Sequence, residues 1–143
     1  MKTLFKAITA QLKTVTELKW IDEDKGQMNF TKPPVLFPAA LVTISYPSIQ
    51  NLNNTKQRVS ANITVKLCFD YGGNTNIETP EIARDQSLGY YDIMEAVHEA
   101  LQGFTTGEFN ELKRVNVLPI LRPDAYKTTS VLYSTEFLDT INP

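Results

Sequence analysis

Between Arg58 and Asp70 the chain reads RVSANITVKLCFD, and every second residue from Val59 is apolar: Val59, Ala61, Ile63, Val65, Leu67 and Phe69. Arg58, Ser60, Asn62, Thr64, Lys66, Cys68 and Asp70 fall between them. A period of two puts the apolar set on one buried face of a strand and the rest on a polar face. The eleven residues from Val59 to Phe69 would span roughly 36 Å, longer than most strands, and their β-branched content suits a pleated, half-buried surface. Burying the six apolar side chains is worth about 9–18 kcal/mol as an upper bound. A slip of one residue would turn that face to water, so the register must be fixed and a sheet must assemble around this segment.

The remaining chain is long enough to complete such a sheet. Its 143 residues are expected to form a single domain, 1–143, with a real core and no internal repeat. A net charge of -2 and scattered basic residues argue against a dedicated nucleic-acid binder, which needs clustered Lys and Arg. No apolar run is long enough for a membrane helix, and lysines interrupt the N-terminal stretch, so neither a span nor a signal peptide is expected. One cysteine and one histidine exclude an internal disulfide and a Cys/His zinc site within one chain.

Leu4, Phe5, Ile8, Leu12 and Val15 recur at helical spacing, with Thr3 as a candidate N-cap. A short strand follows at Leu18 to Asp22, ended by Asp24-Lys25-Gly26. The prolines at 33 and 34 impose an extended entry to a strand over Val35 to Tyr46, in which Pro38 belongs at the start or on an edge. Pro47 to Gln57 is too long for a tight turn and its asparagines favour irregular structure, so it reads as a mobile polar hairpin arm. That arm is either a solvent loop or one that orders on a partner. After a break at Tyr71 to Asn76, Thr79-Pro80-Glu81 predicts a helix start, and the helix should run to Gln102 and stop at Gly103. Its inner stripe would be Ile82, Gln86, Gly89/Tyr90, Ile93/Met94, Val97 and Leu101, with Gly89 either permitting close approach to the sheet or to another chain or simply tolerated in the helix. Strands at Leu112 to Leu121, with Pro119 marking an edge position or a strand end, and at Tyr126 to Asp139 finish the chain. The expected fold is α/β in the α+β sense: a mostly antiparallel sheet with two helices packed on one face, in the order α-β-β-β-α-β-β.

Sites for chemistry are sparse. His98 lies beside the inner stripe of the second helix and has no histidine, serine or cysteine motif with which to form a triad. Cys68 falls on the polar face of the long strand by parity; because free cysteines are usually buried, that face is expected to be partly covered, with another chain as one candidate cover. Asp22, Glu23 and Asp24 do not have EF-hand spacing and read as a solvated acidic turn. Gly72-Gly73 and the Gly103 to Gly107 stretch lack a phosphate-binding pattern. No catalytic, cofactor or metal residue is assigned.

Taken together, KWIDEDKGQ, VLFPAALVTISY, the Asn-rich arm, QRVSANITVKLCFD, a helix closing in EALQGF and the final strand VLYSTEF resemble the tail terminator (tail completion) proteins of long-tailed bacteriophages, the group similar to the lambda U protein. The resemblance covers most of the chain and rests on element order and hydrophobic pattern. It implies a structural virion assembly protein of a phage or prophage, with no enzymatic activity and no cofactor. Such a subunit forms a homo-oligomeric ring, a hexamer, on the finished tail tube and presents the head-tail joining surface. Its implied partners are itself, the tail tube protein and a head-completion or connector protein, with no membrane and no specific nucleic acid. It would occupy the bacterial host cytoplasm during assembly and then the virion tail. Under this reading Ile49, Gln50, Asn51, Leu52, Asn53, Asn54, Thr55 and Lys56 form the candidate subunit or tube contact. The alternatives are another phage neck or tail component, or a small α/β interaction or ligand-binding module.

Overall fold

The structure, a computed structural model, describes residues 1–70 and 75–141. Five strands form one sheet in the order β1-β2-β3-β5-β4. They are β1 (Trp20–Glu23), β2 (Ala39–Asn51), β3 (Lys56–Phe69), β4 (Lys113–Ile120) and β5 (Lys127–Thr140). All neighbours are antiparallel except β1 and β2. The helices are α1 (Lys2–Leu12), α2 (Glu81–Ser87) and α3 (Tyr90–Leu101). The fold is α+β with a mostly antiparallel sheet, as expected.

β3 is the central strand, and its apolar parity does what the alternation requires. Val59, Ala61, Ile63, Val65 and Leu67 are fully buried on one face. Over that face pack Leu4, Ile8 and Leu12 from α1 and Val97 and Leu101 from α3. The opposite parity is also closed at one end: Cys68 packs with Met28, Ala39 and Leu41 in a second cluster flanked by Trp20, Val35, Phe37 and Tyr126. The chain's own segment between β1 and β2 therefore supplies the cover that Cys68 implied, so no second chain is needed there. Trp20 and Ile21 contribute to opposite clusters, which follows from their adjacent positions in a strand.

Several expected boundaries are corrected. The segment 47–57 is a hairpin as expected, but paired instead of loose: β2 and β3 continue as a ribbon, pairing Ser48 with Ser60, Ile49 with Val59 and Gln50 with Arg58, and only 52–55 turn. Pro47 is tolerated because a bulge between Ser45 and Ser48 interrupts the ladder there. Asn53 closes the turn, its side-chain oxygen accepting from the Thr55 and Lys56 amides at 2.8 and 2.9 Å. β5 runs beside the ribbon to its end, pairing Thr140 with Lys56. The strand expected from Val35 begins only at Ala39, directly after Pro38.

The expected single second helix is two, because the chain turns at Leu88 and Gly89. A Cβ at Gly89 would lie 3.2 Å from the Gln86 carbonyl oxygen, so this glycine serves the helix break and not an approach to the sheet. Ile82 is 77% exposed and α2 buries nothing, which removes Ile82 and Gln86 from the inner stripe. The caps also shift: Met1 and Pro80 are the N-caps instead of Thr3 and Thr79, and neither makes a side-chain cap bond. Gly103 does follow α3 at φ 76, the left-handed stop that was expected. The break assigned to Tyr71 to Asn76, including Gly72-Gly73, lies mostly outside the described residues.

Candidate functional site

The long edge of the sheet is β4. Among the described residues it pairs only with β5, and all eight of its residues are exposed. Arg114, Val117 and Pro119 lie opposite Tyr133, Val131 and Thr129 and so share the helix-bearing face; Leu118 and Ile120 lie opposite Ser130 and Thr128 on the other. Val115, Val117, Leu118 and Ile120 are 37–57% exposed, and Leu121 beyond them is 91% exposed. A strand edge carries unpaired backbone donors and acceptors, and natural edges are normally blunted by charge or proline. Here Lys113, Arg114 and Pro119 are the only such residues.

A groove of about 750 Å³ wraps the β4–β5 end of the sheet, lined by Tyr91, Met94 and Val117 from the helix-bearing face and by Ile120 and Tyr126 from the other. A second depression of about 420 Å³ continues it past Glu95, His98 and Arg114. At its floor the Tyr133 hydroxyl meets His98 Nδ1 at 3.1 Å. Burial pushes the Tyr133 phenol up to about 12, although Arg114 pulls the other way. Burial and then Arg114 lower the His98 pKa, against an opposing effect of Glu99. His98 is thus a helix residue at the core boundary, bonded to a buried tyrosine.

The opposite edge of the sheet, at β1, has a different outline. β1 covers β2 only from Ala39 to Val42. Beyond it a notch of about 300 Å³ opens, lined by Lys2, Phe5, Glu23, Asp24, Ile44 and Tyr46 among others. Asp24 is built into the fold: burial alone would raise its carboxyl, but the Gly26 amide at 2.9 Å and the Lys66 ammonium at 3.0 Å outweigh this and lower it. Asp22 meets Lys25 at 3.7 Å, and Glu23 is exposed with no ion pair among the described residues. The acidic turn is therefore partly structural rather than wholly solvated.

The arm residues occupy the far tip of the sheet. Ile49, Gln50 and Asn51 end β2, Leu52 to Thr55 make the turn and Lys56 begins β3. Ile49 and Leu52 are 47% and 43% exposed. The structure brings these eight residues together on one projecting ribbon. It separates them from the β4 edge, where Pro119 pointed to an edge or a strand end but not to a site. The missed signal is VNVLPIL, apolar at both parities beside a proline.

Cys68 is fully buried, and burial pushes its thiol up to about 12. No group of three or more metal-ligating side chains occurs among the described residues, and no helix there is long and apolar enough to cross a membrane. The fold and its open edges define an α+β sheet protein with exposed strand and ribbon surfaces. No protein-family model and no curated protein matches the sequence.

Proposed function

We propose that the protein is a structural assembly subunit of the tail-terminator type, which closes a phage or prophage tail tube as a six-membered ring and offers the surface for head joining. It performs no reaction. The observation that carries this reading is β4: a whole strand of eight residues, half of them large aliphatics, left open at the sheet edge. Exposed apolar edges of this kind mark protein contacts. The projecting ribbon, with Ile49 and Leu52 at its tip, supplies a second contact, to the tube or to a neighbour. Both features support a protein that works by contact.

The test is sedimentation of the purified chain over a wide concentration range, together with electron microscopy of tail tubes incubated with it. Rings in solution or at tube ends are expected. If the chain stays monomeric at the highest concentration and leaves tube ends bare, the reading fails. The double variant Ile49→Ser, Leu52→Ser should keep the melting temperature of the parent while losing tube capping.

A further inference from the structure

We infer that copies of this chain join head to tail through their sheets, with β4 of one copy pairing antiparallel to β1 of the next and the basic start of β4 set against the acidic end of β1. The inference rests on the ring reading and specifies its joint.

The pairings across the sheet place the two edges at the same height. Following the ladder, Ile120 stands level with Thr128, Cys68, Ala39 and Trp20. Val117 stands level in the same way with Val131, Val65, Val42 and Glu23. Arg114 is level with Tyr133, Ile63 and Ile44, which is where β1 has ended and the notch begins. β4 therefore spans the height of β1 plus the notch. Three antiparallel steps from β4 to β2 and one parallel step to β1 make the two edges run in opposite directions. Copies turned about an axis along the strands would meet edge to edge with no slide, and a closed rotation of such a heterologous contact makes a ring.

The side chains match at that height. On one face Ile120 would meet Trp20, and on the other Pro119 would meet Ile21 and Val117 would meet the stem of Glu23. Lys113 and Arg114 make no ion pair among the described residues, and neither does Glu23. In the joint Arg114 lies two residues further along than Glu23 on the same face, within reach of its carboxylate. A two-fold pairing of β4 with β4 would leave these charges uncompensated and would close after two copies.

Separate Asp22→Cys and Leu118→Cys variants test the joint, because these positions would stand level across it. Under mild oxidation the mixture should give a disulfide-linked pair containing one of each variant, while neither variant alone should cross-link. The native Cys68 is buried and does not compete. A Leu118→Cys dimer formed alone would overturn the inference and, because that pairing closes at two copies, the ring reading with it; an unlinked mixture in which light scattering shows rings would overturn the inference while the ring reading survives. Absence of any assembly in solution or on tubes would overturn both. Lys113→Glu with Arg114→Glu should weaken association about tenfold, and adding Glu23→Lys to the same chain should restore most of it at unchanged melting temperature.

Discussion

Ile63→Ala is the sharpest probe of the sheet. Ile63 is fully buried at the middle of β3, level with Ile44 on β2 and Tyr133 on β5. Losing three carbons forfeits about 2.4 kcal/mol of transfer free energy at ~0.8 kcal/mol each. Ladders on both sides hold the neighbouring backbones, so little collapse can fill the hole. A cavity penalty adds to the loss, for a total of about 3–4 kcal/mol. For a domain of this size that lowers the melting temperature by roughly 10 °C. Thr64→Ala, one residue along on the half-exposed face, should cost under about 1 kcal/mol. Val117→Ala on the edge should cost about as little, yet it should weaken self-association. Urea titration of the three variants at constant m-value separates these cases. If Ile63→Ala costs less than about 1 kcal/mol, or if Thr64→Ala costs as much as Ile63→Ala, the two-faced account of β3 is refuted.

Other expectations follow from the same structure. Because burial and Arg114 lower the His98 pKa, the unfolded chain takes up its proton first as pH falls; stability should be full above about 6.5, fall below that value and level off under the folded pKa. His98→Gln should flatten this slope, and proton NMR of the ring should show the depressed titration directly. The Cys68 thiol, raised to about 12 by burial, should ignore a thiol reagent at neutral pH in the folded protein and react fully in urea. Fast labelling without denaturant would place that residue outside a closed cluster. Gly103 sits at φ 76 with no atom within 4 Å of where a Cβ would be, so Gly103→Ala should cost about 1 kcal/mol from backbone strain alone.

What could be read in advance was the contrast between faces. Alternation in β3 reported burial directly, because one parity meets helices and the other does not. It could not report what covers a strand's second face, which is why Cys68 pointed to an unidentified cover when Met28, Val35 and Phe37 of its own chain supply it. The ribbon was hidden for a related reason. Asparagine and proline bias a segment toward turns, but pairing with β5 extends the sheet to the tip, and Pro47 falls where a bulge needs no ladder bond. The β4 edge was the hardest feature to see. Val115, Val117, Leu118 and Ile120 are apolar at both parities, and such a run ordinarily belongs to a strand buried on both sides. Only the strand order shows that no strand among the described residues pairs with its outer edge. A pattern that resembles an interior strand but occupies an edge is what the proposed joint would cover, with β1 of another copy at the matched height.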